Sequence, residues 1–256
     1  MLEENKFTIF EGMTSVSALI KALESFPLTA RKINTVYCDK KNIKTDYRRV
    51  NFLKVKANEL GFALELCDSE IIDGLATGKT HGGFVAICGE KTMKSISFND
   101  IPQKGIFFLI EGIEDPYNFG YTLRALYASG ADGVVLPERN WMTAAGTVSK
   151  ASAGCSELIP IYSGAADESV KLFKDAGYRV LCANIRDSKL IYDTDLRAPV
   201  LFVIGGEKRG VSRTVLDLSD QNIRIGYGRD FSGSLPTAEA AAIIAFEAAK
   251  INDRIK

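Results

Sequence analysis

The stretch IFFLIEGIEDPYNFG (106–120) decides the fold class. Ile106 to Ile110 form a short continuous apolar run of the kind that fills a fully buried strand. After Asp115 and Pro116 a helical pattern begins, with Asn118 at the expected N-cap and Phe119, Leu123 and Leu126 on one apolar stripe. A Rossmann-type nucleotide-binding domain places a glycine-rich turn directly after its first strand, so that backbone approaches the ligand at a helix N-terminus. EGIEDPYNFG lacks such a turn. The glycine-rich turns come late, at GGEKRG (205–210) and GYGRDFSG (226–233). That order points to a ligand site built from the last third of the sheet and away from Rossmann topology.

Downstream of this stretch, GVVLP (133–137), YRVLCA (178–183), LFVIG (201–205) and NIRIG (222–226) read as strands with helices between them. Apolar strands separated by helices imply a parallel sheet covered on both faces. Upstream, EKTMKSISFNDIPQK (90–104) is polar and contains a proline, which marks a domain boundary near 95–104. The residues before it alternate again. Val16, Leu19, Ile20 and Leu23 recur at helical spacing, and TDYRRVNFLKVKANEL (45–60) is helical. INTVYCD (33–39), FALELCD (62–68) and GFVAICG (83–89) read as strands, with Asp68 placed to cap a helix. A small α/β domain over 1–95 and a larger α/β domain over 104–256 fit a chain of 256 residues.

Composition narrows the function classes. No apolar run approaches the ~18 residues of a membrane span, and the acidic MLEENKFTIFEGM start lacks the pattern of a secretory signal. A cytoplasmic, soluble protein is expected. The five cysteines are isolated and never form a CxxC pair, which argues against a disulfide framework or a zinc site and for core positions. His81 is the single histidine, so any Ser/His/Asp triad must use it. No metal is expected. GLATGKT (74–80) imitates a phosphate-binding P-loop but has three residues between its glycines where that motif has four, and it runs on into a strand. Acidic and basic residues balance at 32 each, yet Arg31, Lys32, Lys40, Lys41, Lys44, Arg48, Arg49, Lys54 and Lys56 cluster. Two readings stand for that cluster: a phosphate-facing surface or a solvated helix face.

Three segments carry candidate chemistry. In EDPYNFGYTLRA (114–125), Arg124 falls off the apolar stripe between Tyr121 and Tyr127, as either a surface arginine or a guanidinium fork for a phosphate or ribose. In FVIGGEKRGVSR (202–213), Gly205 and Gly206 let backbone approach a ligand, Glu207 follows the strand end and Ser212 is placed to cap the next helix. SLPTAEAAAIIAFE (234–247) opens an alanine-rich helix, with Pro236 suited to its first turn and Ser234 or Thr237 to its cap.

Taken in order and spacing, and together with KASAGCSELIPI (150–161), these segments resemble the SpoU/TrmH family of RNA ribose methyltransferases. The first half, most plainly at GLATGKTHGGFVAI, is similar to the family's ribosomal-protein-like RNA-binding domain. The resemblance implies a C-terminal trefoil-knotted parallel-sheet methyltransferase domain, a homodimer with active sites at the subunit interface, S-adenosylmethionine as methyl donor, and a ribose 2′-hydroxyl of tRNA or rRNA as acceptor. It implies Asn118, Arg124, Glu207 and Ser234 as catalytic residues. It also implies Gly205, Gly206, Ile223, Ile225 and Leu235 around the cofactor, and an RNA-binding role for Arg31, Lys32, Lys40, Lys41, Arg48 and Arg49. One departure stands out. The family's third motif reads Ser-Leu-Asn, and here Pro236 replaces the asparagine after an unusually long loop. That change keeps two other readings open, a non-catalytic RNA-binding relative and transfer to a different nucleophile.

Overall fold

The computed structural model describes residues 7–91, 93–137, 144–206 and 208–255. It divides into two compact units, one formed by Met1–Thr92 with Asn140–Leu158, the other by Met93–Arg139 with Ile159–Lys256. A segment inside the expected 104–256 range therefore groups with the first unit.

The first unit contains β1 (Thr8–Glu11), α1 (Gly12–Ser25), β2 (Ile33–Asp39), α2 (Asn42–Thr45), α3 (Tyr47–Leu60), β3 (Ala63–Cys67), α4 (Ser69–Leu75) and β4 (Phe84–Cys88). Its sheet runs β1-β4-β2-β3, with β2 and β3 parallel and the other pairings antiparallel. Val16, Leu19 and Ile20 of α1 and Val50 and Leu53 of α3 bury their stripes against Phe10, Val36 and Phe84. Cys38, Cys67 and Cys88 sit in this interior.

The second unit continues with β5 (Lys94–Ser95), β6 (Ile106–Glu111), α5 (Pro116–Ser129) and β7 (Gly133–Leu136). Next in the chain come α6 (Ala145–Ala151) and α7 (Cys155–Leu158), which belong to the first unit. Ala145 joins the core around Phe10. Gly146 is tolerated because it has no side chain, since a Cβ there would stand 2.3 Å from the Ile9 carbonyl oxygen.

Ion pairs fix these helices. Lys150 reaches Glu11 at 3.0 Å, and the Glu11 carboxylate also accepts from the Thr77 amide, the Thr77 hydroxyl and the Gly78 amide. Burial pushes the Glu11 carboxyl up, but the hydrogen bonds from Thr77, Lys150 and Gly78 more than offset this and bring it down to about 2. A carboxyl lowered in the fold stabilises it fully above its ordinary value near 4.5, and that contribution is lost as pH falls towards 2. The same bonds explain why GLATGKT makes no phosphate cradle: its amides at Thr77 and Gly78 already serve Glu11.

Arg31 corrects the sequence reading. It is 5 % exposed, lies 5.3 Å over the Phe10 ring, donates to the Gly89 carbonyl and pairs with buried Glu157 at 3.3 Å. A charge run along the sequence does not reveal which of its members point inward, and this one is an interior strut that cannot meet RNA.

The second unit then gives β8 (Ile161–Ser163), α8 (Ala166–Asp175), β9 (Arg179–Ala183), β10 (Ser188–Leu190), β11 (Val200–Gly205), α9 (Arg213–Leu218), β12 (Gln221–Arg224) and α10 (Thr237–Ile251). The sheet order is β10-β12-β9-β11-β6-β7-β8-β5, and every pairing is parallel. This is the parallel sheet expected from the apolar strands. Strand alternation sends Phe107, Leu109, Leu201 and Val203 to one face, where Phe173 of α8 and Val215 of α9 cover them. On the other face Phe108 stacks on Phe202 at 5.1 Å, and α5 lies alongside α10. At the far ends of these two helices Arg254 donates to the Gly130 carbonyl and pairs with Asp132 at 2.8 Å. No described helix is long and apolar enough to cross a membrane.

Candidate active site at the carboxyl end of the second sheet

Strands β6 and β11 are neighbours in register, Gly205 opposite Glu111, so both polypeptides leave the sheet at the same end. Their exits touch. A Cβ on Gly206 would lie 2.3 Å from the Gly112 carbonyl oxygen, and Gly112 itself has φ +90, a conformation that glycine adopts without strain. The Glu111 carboxylate accepts from the Ser212 amide at 2.9 Å and ties the first exit to the turn after β11. Glu111 was not singled out in the sequence, although an acid at a strand's carboxyl end beside a glycine was the available signal.

The third segment joins the same place. The Thr237 hydroxyl donates to the Gly205 carbonyl at 3.2 Å, which anchors the start of α10 to the end of β11. Pro236 occupies the N-cap and its carbonyl accepts from Ala240, so neither Ser234 nor Thr237 caps this helix. Between Gly226 and Leu235 no backbone group has a hydrogen-bond partner among the described residues. A loop whose amides and carbonyls are uncommitted among the described residues, beside two glycines and a sheet end, can meet a ligand through backbone as well as side chains.

The individual candidates fare differently. Asn118 is the third residue of α5, because Asp115 is the N-cap and accepts the Asn118 amide at 2.8 Å. Proline at the first helical position starts the helix earlier than the apolar stripe indicates. Arg124 is exposed on α5 and has no hydrogen-bond or ion-pair partner among the described residues. Six residues of helix put it roughly 9 Å along the axis from Asn118, away from the strand ends. Ser234 is exposed and Leu235 half-buried in the loop.

Gly205 and Gly206 shape the exit, and their carbonyls are spent on Thr237 and Gly210. Ile223 is 1 % exposed and its carbonyl accepts from Asn184, so it supports the wall from within, whereas half-buried Ile225 stands just past the strand. Glu207 lies outside the described residues. Asp68 and Ser212 hold N-cap positions without a side-chain cap bond.

In the first unit Lys32, Lys40, Lys41, Arg48 and Arg49 are exposed. Lys40 pairs with Asp68 at 3.1 Å, Arg49 with Asp46 at 2.7 Å, and the Lys41 ammonium donates to the Ser69 hydroxyl. Lys32 and Arg48 have no side-chain partner among the described residues. The described residues hold no cluster of three or more histidine, cysteine or acidic side chains suited to a metal ion.

A family model, the SpoU rRNA Methylase family, matches residues 105–246, from just before β6 to within α10. The chain belongs to the SpoU rRNA methylase family. A TrmH-family protein of Staphylococcus saprophyticus is 34 % identical over 205 residues, covering 78 % of this chain and 82 % of that one. The 23S rRNA (guanosine-2′-O-)-methyltransferase RlmB of a Burkholderia species is 26 % identical over 98 % of both chains. Among solved structures, an AdoMet-bound rRNA methyltransferase from Sinorhizobium meliloti superposes with a TM-score of 0.78, covering 97 % of this chain and 88 % of that one at 20 % identity. That likeness establishes the shared α/β fold with its parallel sheet. For a SpoU methylase, the convergence of Gly112, Gly206 and Thr237 at one sheet end explains why three segments far apart in sequence behave as a unit.

This junction tolerates little change. Gly206→Ala is expected to cost about 3 kcal/mol of stability, because the new methyl meets backbone that cannot rotate away. Thermal melting checks that figure, and an unshifted melting temperature would show that the exit relaxes freely.

Proposed function

We propose that the protein transfers the methyl group of S-adenosylmethionine to a ribose 2′-oxygen of ribosomal or transfer RNA, working as a cytoplasmic homodimer. The observation that carries this reading is the junction of Gly112, Gly206 and Thr237, which opens onto the uncommitted backbone between Gly226 and Leu235. Membership of the family and the printed names of the relatives, which include a guanosine-2′-O-methyltransferase, supply the reaction class. A trefoil-knotted path belongs to the proposal, supported by the return of β11 to the centre of the sheet beside β6 after four other strands have been laid down.

When bound, S-adenosylmethionine supplies an electrophilic methyl on a positively charged sulfur. Gly205, Gly206, Ile225 and Leu235 line its place, with Ile223 backing them. A ribose hydroxyl becomes a competent nucleophile only as its proton passes to water, and the carbon–oxygen bond would form as the carbon–sulfur bond breaks, releasing a neutral thioether. Arg124 serves by stabilising the developing alkoxide or gripping the adjacent phosphate through its planar fork of donors. Asn118 and Ser234 complete the polar lining, and Glu207, outside the described residues, keeps the catalytic role that the family resemblance implies. Pro236 offers no side-chain amide, and the long loop before it takes over substrate placement. Lys32, Lys40, Lys41, Arg48 and Arg49 meet RNA phosphates in the N-terminal unit.

Arg124 stands roughly two turns along α5 from its own chain's strand ends, a position from which it can complete the partner's site. The outer faces of α5 and α10 leave Tyr117, Tyr121, Phe246 and Ile251 exposed, and these are the surface offered for pairing. Phe246→Asp is therefore expected to convert a dimer into monomers in sedimentation experiments and to abolish methyl transfer with them. A dimer unaffected by the aspartate would place the interface elsewhere.

The central test is calorimetry with S-adenosylmethionine followed by mass-spectrometric mapping of ribose methylation, in RNA from cells with and without the protein. Saturable cofactor binding and one missing 2′-O-methyl mark are expected. Absence of binding at millimolar cofactor would leave the non-catalytic reading in its place.

A further inference from the structure

The loop that carries this chain's departure from the family pattern has an unusual surface. Tyr227 and Phe231 pack edge to face with centroids 5.3 Å apart, yet remain 39 % and 53 % exposed. Gly233 lies close to the Phe231 ring, where a Cβ would stand 2.5 Å from it. Tyr192, 56 % exposed, borders the start of the same loop, its ring 3.7 Å from where a Gly226 Cβ would be. Arg229, at the tip, is exposed and has no partner among the described residues, not even adjacent Asp230. Two large rings and a spare guanidinium thus stand in solvent on a loop that leaves the carboxyl end of β12 and leads into Ser234, with the Tyr192 ring beside them from the segment after β10.

We infer that Tyr192, Tyr227 and Phe231, with Arg229, form a platform on which unpaired bases of the RNA substrate stack beside the target ribose. This rests on the methyl-transfer reading above and adds the substrate's local form: single-stranded or splayed out where it meets the protein. An unpaired nucleotide presents a flat π face and an anionic phosphate, which match an aromatic ring and a guanidinium respectively. A purely apolar protein partner would instead bury Arg229 without a counter-charge. Stacking is indifferent to base identity, so the platform supplies placement and affinity while other contacts choose the sequence. Placement is also what the missing side-chain amide at Pro236 would otherwise help provide.

The test uses the full-length protein with a single-stranded oligoribonucleotide and a duplex of the same sequence. Tyr227→Ala combined with Phe231→Ala is expected to weaken single-strand binding tenfold or more, by about the loss measured when one stacked base is freed. Duplex binding, cofactor affinity, sedimentation and melting temperature should stay as in the wild type. Tyr227→Phe and Phe231→Tyr keep the rings and should keep the affinity, and Arg229→Ala should lower the salt dependence by about the slope of one single-strand phosphate contact, ~0.7. Unchanged single-strand affinity in the double variant overturns the platform. So does an equal loss of cofactor affinity, which would make the loop a cofactor wall, or dissociation of the dimer, which would make it an interface. These outcomes are read against an active wild type. A wild type that neither binds cofactor nor methylates RNA would overturn the parent reading instead.

Discussion

Replacing Arg124 with alanine is expected to lower methyl transfer about 10²- to 10³-fold, the range seen when one charge-stabilising donor is removed from an active site. Cofactor affinity should not change. The side chain stands exposed on α5 with no partner among the described residues, so its removal costs the fold nothing that the structure displays. Arg124→Lys keeps the charge but loses the planar fork, and should recover only a small part of the rate. Single-turnover methylation alongside calorimetry separates the two effects. Joint loss of transfer and cofactor binding would mean that Arg124 lines the cofactor site.

Mixing provides a sharper version. Arg124→Ala and Gly206→Ala subunits are each inactive if the proposal holds, but a mixed dimer has one site drawing an intact Arg124 from one subunit and an intact Gly206 from the other. Activity regained on mixing therefore supports action across the dimer, and continued inactivity places Arg124 in its own chain's site.

Replacing Arg31 with alanine is expected to destabilise the N-terminal unit by about 3–5 kcal/mol, a large share of what holds a domain of ordinary stability together. Among the described residues Glu157 would keep only Lys91 at 3.7 Å while remaining 5 % exposed. The packing of the guanidinium over Phe10 would go as well. Removing both charges is different in kind. Arg31→Met with Glu157→Met leaves no buried charge to compensate and should recover most of the loss. Urea denaturation followed on both variants decides the matter, and equal destabilisation by the single and double changes would show that packing rather than charge governs the site.

Where strands are long and apolar, the sequence and the structure agree to within a residue or two. Ile106–Glu111 and Val200–Gly205 are buried on both faces, and burial of that kind requires continuous hydrophobic runs. Thr8–Glu11, Ile161–Ser163 and Ser188–Leu190 escaped notice because they are short and half-buried, so no period of two stands out. Their pairing is decided by neighbours remote in the chain.

The site divides in a similar way. Gly205, Gly206 and the run after Ser234 were legible because glycine and proline restrict backbone wherever they occur. Glu111 was not, and Thr237 was read only as a cap, since a carboxylate and a hydroxyl acquire this meaning only when β6, β11 and α10 bring them to one end. Arg31 was misread for the converse reason, being a charge whose partner lies 126 residues away.

The grouping of Asn140–Leu158 with Met1–Thr92 bears on how the chain is made. A ribosome releases the polypeptide from its N-terminus at roughly 5–20 residues per second, and domains tend to fold as they emerge. Here the N-terminal unit cannot finish on release of its own contiguous stretch. Glu11 must await Lys150, and Arg31 must await Glu157, by which time β6 and β7 are already outside. An amino-terminal fragment ending near residue 92 would resemble a halted nascent state, with Glu11 lacking Lys150, Arg31 lacking Glu157 and the Phe10 side of its core lacking Ala145.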